Sequence, residues 1–306
     1  MRARPPRGLA SDIPRRRRAV WTFGVVGLLA ALAGCGGSEA EGDPTLTVYV
    51  SAPLTGPAGA DGRDVADGAR LALADAGGEA AGVEVEARYL DVAGRNESRS
   101  DPVTAARNAR TATEDSTAIA YVGELDSAAS RISVPITNSA GILQVAPGSG
   151  ATDLVVTETF DDSVPEEVQA TGERTFARVM PSDQEVREEF GDDELIAGPA
   201  SADELPDAGR EMLARFESEF GREPGPWAPY GYEAMASVLA AIDRADDALS
   251  RSSVVDAYFD GTERDTVLGT YSVTEEGETT LEAPLGPYRV TPKGEVEPAP
   301  VDQAAG

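Results

Sequence analysis

Short apolar runs of strand length are the clearest pattern in the first half of the chain. Leu46–Val50, Ala118–Val122 and Ile142–Val145 are mainly apolar, and Val83–Leu90 alternates polar and apolar residues with the two-residue period of a strand. The unbroken run at 118–122 is typical of a parallel strand that is covered on both faces. These four segments predict four strands of one sheet.

Helical patterns separate these strands. Apolar residues recur at helical spacing from Val65 to Ala76, where two glycines end the segment. Asp101–Glu114 begins with an aspartate as N-cap and a proline at the first helical position. Ser127–Ala140 predicts a third helix, kinked at Pro135 because proline lacks the N–H group that a helix needs. This short-linked alternation predicts a doubly wound α/β sheet.

Ligands of such sheets bind beyond the carboxyl ends of the strands. Three loops leave those ends, at Ser51–Gly62, Gly123–Ser127 and Ala146–Thr152. Glycines in the first loop follow the spacing GxxGxxG, which differs from the GxGxxG fingerprint of dinucleotide-binding proteins and is explained by turn formation alone. The three loops are therefore the candidate site for a small ligand.

The second half of the chain predicts two helices, two strands and a tail. Pro206–Phe220 and Tyr230–Ala245 carry apolar stripes of the kind that pack in a protein core. Val267–Val273 and Tyr288–Val290 are β-like and lie on either side of an acidic turn. Residues 296–306 are acidic and rich in proline and alanine, and we expect them to be disordered.

The amino terminus has the pattern of a secretion signal. Seven arginines precede an uncharged stretch from Ala19 to Leu32, whose length falls within the roughly 7–15 residues that are usual for the apolar region of a signal peptide. A membrane span needs about 20 apolar residues, so this stretch is too short for one. Leu32–Cys35 resembles a bacterial lipobox, which implies that the lone cysteine carries a lipid; an incidental cysteine after a plain signal peptide is the alternative.

Charge and composition exclude several functions. The chain has a net charge of −28, and removal of residues 1–34, with seven arginines and one aspartate, leaves −34. Such a surface repels nucleic acid and anionic lipid headgroups, and solubility or adaptation to salt explains it. There is no histidine, so the nucleophile pairs that use histidine as a base are absent. We therefore expect no enzymatic activity.

Four stretches together resemble the branched-chain amino-acid binding proteins of ABC transporters. They are VYVSAPLTGPAGADGRDVADGARLAL, AYVGELDSAASRISVPITNSAGILQVAP, TGERTFARVMPSD and FESEFGREPGPWAPYGYEAMASVLAAIDRA, in the family's order. The resemblance implies the type I periplasmic-binding-protein fold, in which two α/β lobes with doubly wound parallel sheets close on a ligand. It also implies a solute of the amino-acid class and a membrane permease as partners, and no cofactor.

The resemblance also assigns candidate ligand-binding residues. The hydroxyl that receives the ligand carboxylate falls on Ser127, which could equally be an N-cap. The loop after the fourth strand contributes Gly148, Ser149 and Gly150, where Ser149 stands nearest to the family's threonine. Asp61 occupies the first loop, where the family often has an aromatic residue. Together with Asp126, it would repel a ligand carboxylate unless it faces solvent.

Comparison with the family pattern predicts that the second lobe is shortened. The family continues after RVMPSD with further βα units, which need about 30 residues each, yet a later family strand begins here near Glu194. The residue that would bind the ligand ammonium cannot be assigned. The chain divides into a signal peptide (1–34), a tether (35–44), a first lobe (45–170 plus 205–266), a truncated second lobe (171–204 plus 267–295) and a disordered tail (296–306).

Three functions remain open from the sequence. The first is a solute-binding lipoprotein on the outer face of the bacterial cytoplasmic membrane. The second is an interaction lipoprotein in which the first lobe persists as a scaffold without small-molecule binding. A hydrolase that uses paired carboxylates is the third and lacks any supporting motif.

Replacement of the anchor cysteine tests the lipoprotein interpretation. Cys35→Ser removes the thiol that would carry the lipid, so the protein should move from the membrane fraction to the soluble fraction on cell fractionation. Unchanged membrane association of this variant would exclude a lipid anchor at Cys35.

Overall fold

The predicted alternation of strands and helices is present in the computed structural model, which describes residues 45–94, 99–155, 168–246, 248–281, 286–290 and 296–299. The predicted signal peptide, Cys35 and the tether lie outside the described residues. The strands are β1 (Thr45–Ala52), β2 (Glu79–Ala80), β3 (Val83–Asp91), β4 (Ala118–Val122), β5 (Leu143–Ala146), β6 (Phe176–Arg178), β7 (Ile196–Gly198), β8 (Arg264–Asp265), β9 (Thr270–Tyr271), β10 (Gly286–Val290) and β11 (Val296–Pro298).

Seven α-helices lie in the described part of the chain. They are α1 (Gly59–Asp75), α2 (Pro102–Glu114), α3 (Ser127–Ser139), α4 (Asp183–Phe190), α5 (Asp207–Phe220), α6 (Ala228–Arg244) and α7 (Arg251–Tyr258). Short 3-10 turns occur at Thr152–Leu154 and Ala202–Glu204. None of the helices in the described residues is both long and apolar enough to cross a membrane.

The main sheet has six strands in the order β2-β3-β1-β4-β5-β6. All neighbours from β3 to β6 are parallel, and only the two-residue β2 at the edge is antiparallel. The central strand β4 is apolar and buried at every position, whereas in β3, nearer the edge, only Val85 is buried. The predicted doubly wound α/β fold is confirmed.

Helices α1 and α6 pack with close backbone contact on this sheet. A Cβ atom at Gly68 would overlap the carbonyl oxygen of Ala228, and one at Gly231 would overlap that of Val65. The two glycines therefore allow the helices to approach more closely than any larger side chain would. This contact joins the beginning of the first lobe to a segment more than 150 residues later.

Strand β6 belongs to the main sheet, since Gln144, Val145 and Ala146 of β5 pair with Phe176, Ala177 and Arg178. The sequence interpretation assigned residues from 171 onward to the second lobe. The second lobe therefore begins after Arg178. The apolar side chains of β6 complete the core beside β5, where Phe176 and Ala177 are fully buried.

The second sheet is small and antiparallel, in the order β11-β10-β7. It includes Val296–Pro298, so the expectation of disorder from residue 296 is wrong for these three residues. Their order arises from backbone pairing with β10, which local composition does not reveal; Pro298 is tolerated because β11 is an edge strand. Residues 300–306 lie outside the described residues.

The truncation expected in the second lobe is visible in the chain path. Only residues 191–195 connect α4 to β7, too few for a further βα unit. The strand expected over Val267–Val273 is instead the second arm of a hairpin formed by β8 and β9, followed by a single bridge from Val273 to Thr279. Helix α7 was not predicted, since its hydrophobic pattern is weak.

A substitution at the α1–α6 contact tests its contribution to stability. Gly68→Ala places a methyl group against the backbone of α6, and we expect it to lower the free energy of unfolding by about 2–3 kcal/mol. Gly59→Ala in the same helix meets the flexible end of Arg63 at 3.1 Å and the backbone of Leu54 only at 3.3 Å, so its effect should stay within about 1 kcal/mol. Urea unfolding followed by circular dichroism measures both; equal effects would contradict close packing at Gly68.

Candidate functional site

The predicted crevice lies at the carboxyl ends of β1, β4 and β5. Val50 pairs with Val122, and Val122 pairs with Val145, so the three strands end at one edge of the sheet. The loops that follow them converge there, and this is where a doubly wound sheet binds its ligand.

A fully buried carboxyl group joins two of these strand ends. Glu124 is 0% exposed; its Oε2 accepts a hydrogen bond from the Ser51 hydroxyl at 3.0 Å, and its Oε1 accepts one from the Tyr121 hydroxyl at 2.6 Å. The Asn108 side chain donates to the Ser51 oxygen at 3.2 Å. Burial raises the pKa of Glu124 to about 8, because an ionised carboxylate is poorly solvated there. The hydrogen bonds from Tyr121 and Ser51 oppose this shift.

Asp126 is the N-cap of α3. Its Oδ1 accepts from the backbone N–H of Ala129 at 3.0 Å, and its Oδ2 accepts from the Ser100 hydroxyl. The carboxylate is thus engaged within the protein. This arrangement also corrects the alternative interpretation of Ser127 as an N-cap, because Ser127 is the first residue inside the helix.

Ser127 connects two of the crevice loops. Its hydroxyl oxygen accepts a hydrogen bond from the backbone N–H of Ala151 at 3.1 Å. A hydroxyl group that accepts one bond still has a hydrogen to donate. Ser127 is half-buried at the start of α3, where helix N–H groups favour a negatively charged ligand group.

Ser149 is directed into the protein. It is 4% exposed, its hydroxyl lies 2.7 Å from that of Ser130, and it donates to the carbonyl oxygen of Glu124 at 3.1 Å. Its backbone is left-handed, with a φ of 67°. The hydroxyl therefore supports the loop after β4, and a ligand contact of Ser149 through this hydroxyl would require the network to open.

Gly148 and Gly150 are positions of close approach. A Cβ at Gly148 would overlap the carbonyl oxygen of Leu125, and one at Gly150 would overlap the carboxylate of Asp183. The carbonyl of Gly150 accepts from the N–H of Asp183 at 2.7 Å, and Asp183 Oδ1 accepts from Ala197 N–H at 2.9 Å. Asp183 thus connects the loop after β5 to β7 of the second sheet, and burial raises its pKa.

Asp61 lies in the first turn of α1 and forms an ion pair with Arg99, with 3.0 Å between Oδ2 and Nη2. This cation reduces the repulsion that Asp61 would exert on a ligand carboxylate. Tyr288 of the second sheet donates from its hydroxyl to the carbonyl oxygen of Pro199 at 3.3 Å; burial raises its pKa, and the charges of Asp61 and Glu204 raise it further.

Arg178 donates hydrogen bonds to the backbone of the loop after β5. It is fully buried, donates from Nη1 to the carbonyl oxygens of Ser149 at 3.1 Å and Ala151 at 2.8 Å, and forms a two-armed ion pair with Glu278. Sequence reasoning missed Arg178, Glu124, Asp183 and Tyr288. Of these four residues, only Glu124 had a local signal in the sequence: it lies two residues after the unbroken apolar strand β4.

The crevice therefore brings Ser127, Asp126, Ser149, Gly148 and Gly150 together, with Asp61 at its margin. Its chemistry is that of hydrogen bonding and charge recognition. Among the described residues, no group of three or more Asp or Glu side chains is placed to hold a metal ion.

No family model matches the sequence, and no curated protein matches it either. Solved structures do match. A leucine binding protein, LivK, from Thermotoga maritima is 17% identical with a TM-score of 0.58, over 83% of this chain and 98% of that chain. A substrate-binding protein of an ABC transporter from Desulfitobacterium hafniense, in complex with Leu, is 13% identical with a TM-score of 0.61, over 83% and 100%.

A third match is a solute binding protein of an ABC transporter from Rhodopseudomonas palustris in complex with 3,4-dihydroxy benzoic acid. It is 16% identical with a TM-score of 0.60, over 83% of this chain and 95% of that chain. The chain thus has the fold of the substrate-binding proteins of ABC transporters, a fold of type I periplasmic binding proteins. The resemblance noted in the sequence is confirmed at the level of the fold.

The pH dependence of stability tests the buried state of Glu124. Its pKa is about 8 in the folded protein and near the ordinary value of 4.5 when unfolded, so the folded state holds the proton more tightly. The free energy of unfolding should therefore fall as pH rises from about 5 to 8, by on the order of 1.4 kcal/mol per pH unit from this group.

Glu124→Gln removes this titration, so the variant should gain stability relative to the wild type as pH rises, as measured by urea unfolding at several pH values. Glu217→Gln, at an exposed position of α5, is the matched control and should leave the slope unchanged. Parallel pH profiles for wild type and Glu124→Gln would show that Glu124 does not titrate in this range.

Proposed function

We propose that this chain is an extracytoplasmic solute-binding protein of an ABC transporter. In this proposal it is held on the outer face of the bacterial cytoplasmic membrane by lipidated Cys35 and delivers an amino acid or a similar small polar solute to a membrane permease. Its role is binding, without catalysis. The observation that carries the proposal is the convergence of three loops, with Ser127 at the start of α3, at the ligand-binding edge of this fold.

The solutes of the matched structures support a carboxylate as the recognised group. Leu and 3,4-dihydroxy benzoic acid differ in size and shape, but both carry a carboxylate. In this chain, the Ser127 hydroxyl and the first N–H groups of α3 are suited to receive such a group. Asp61 lies nearby, but its ion pair with Arg99 reduces the repulsion between its carboxylate and a bound anion.

The engagement of Asp183 with Gly150 favours a second candidate function. Asp183 pairs with the carbonyl of Gly150, so this carbonyl is not free to contact a solute, and the second sheet has only three strands among the described residues. The alternative is a degenerate binding-protein lobe that acts as an interaction lipoprotein without binding a small molecule.

Thermal unfolding in the presence of solutes separates the two functions. The chain beginning at Gly36 retains every described residue and should unfold cooperatively. Amino acids, small amides and benzoates are each tested, and a solute at a hundredfold excess over its Kd should stabilise the protein by about 2.7 kcal/mol. A cooperative transition that no solute moves would favour the interaction lipoprotein.

Ser127→Ala locates the binding to the crevice. Loss of a hydrogen bond to a charged group should weaken solute affinity about tenfold or more in isothermal titration. Ser139→Ala, at the other end of α3, is the matched control, since the Ser139 hydroxyl donates to the backbone of Ile136 and faces solvent. Equal affinities for the two variants would place the solute elsewhere.

A further inference from the structure

A groove of about 820 Å³ lies on the first lobe between α5, α6 and β8. It is separate from the crevice at the strand ends. Small apolar side chains, among them Ala236, Ala240 and Val267, form much of its wall, and a few polar side chains converge within it. This volume and this composition are typical of small-molecule sites.

The groove contains a buried guanidinium group that is incompletely paired. Arg264 is 9% exposed and donates from Nη2 to the carbonyl oxygen of Tyr258 at 3.2 Å. Its Nε and Nη1 have no hydrogen-bond acceptor among the described residues, and its Cζ lies 4.7 Å from the centre of the Tyr258 ring. Arg178, the other arginine that is buried among the described residues, is paired with Glu278, whereas Arg264 has no carboxylate partner within 4 Å there.

Glu233 lines the same groove without forming an ion pair with Arg264 within 4 Å. It is 2% exposed, and its Oε1 accepts from the Tyr271 hydroxyl at 2.8 Å. A buried charge is costly unless it is paired and hydrogen-bonded. Nε and Nη1 of Arg264 are enclosed by protein atoms, so an anionic group in the groove would supply their missing acceptors once the guanidinium turns toward it.

We propose that this groove is a second ligand site, in which Arg264 binds the carboxylate of a small organic acid and the alanines of α5 and α6 contact its apolar part. The planar guanidinium matches a carboxylate. A monocarboxylate fits better than a phosphate, because Glu211, Glu233 and Asp265 also line the groove and repel a second negative charge more strongly.

Glu233 makes this binding dependent on pH. Burial raises its pKa to about 7, while the Tyr271 and Thr266 hydroxyls and the Arg264 charge oppose the shift. The other charged groups of the groove, Glu211, Arg215 and Asp265, lie with them in the lining. Because ionised Glu233 repels a bound carboxylate, affinity should fall about tenfold between pH 6 and pH 8.

Isothermal titration with butyrate and benzoate, at pH 6 and pH 8, tests the proposal on the chain beginning at Gly36. Butyramide is the uncharged match for butyrate and should not bind measurably. Arg264→Met should lower carboxylate affinity at least tenfold, and Glu233→Gln should retain binding while removing the pH dependence. Butyramide binding as strong as that of butyrate would overturn the role of Arg264.

Blocking the groove provides a test that does not depend on the buried charges. Ala240 is half-buried in the wall, so Ala240→Leu fills the groove and should abolish carboxylate binding, whereas Ala74→Leu, at an exposed position of α1, should not. Ser127→Ala separates the two sites: it should leave groove binding intact. Carboxylate binding that is lost in Ser127→Ala and kept in Ala240→Leu would overturn the groove and support the crevice alone.

Discussion

The ion pair between Arg178 and Glu278 is the interaction on which the architecture of the crevice depends. Arg178 ends β6 inside the main sheet, binds two carbonyl groups of the loop after β5, and reaches a glutamate 100 residues later in the chain. A buried pair of this kind contributes little net stability relative to apolar residues, but loss of one partner leaves an isolated buried charge. It therefore fixes the position of the loop and of the turn that carries Glu278.

Much of the first lobe could be predicted because its signals are local. Strand β4 was predicted to the residue, and β1, β3 and β5 to within two residues, since their apolar runs are bounded by turns. The start of α2 was recognisable from Asp101, whose side chain accepts from the N–H of Thr104. These elements need no knowledge of the rest of the chain.

The second sheet and the details of the crevice depend on distant pairing. Strands β6, β7 and β11 have three residues each, too few for a periodic pattern, and are ordered by neighbours far away in sequence. The sequence predicted that Asp126 and Ser127 lie at the start of a helix. Which of the two is the N-cap depends on the directions of their side chains, which the sequence does not give. Asp183 could not be found, because its role exists only where α4 meets Gly150.

The chain enters the main sheet at Thr45, the amino end of β1, whereas the crevice loops leave the carboxyl ends of the strands. In the proposed lipoprotein, the tether would therefore join the sheet at Thr45, at the strand end opposite the crevice loops. The nine residues between Cys35 and β1 span at most about 30 Å when fully extended. That length sets how far the protein could rotate beside the membrane to turn its crevice toward a transporter.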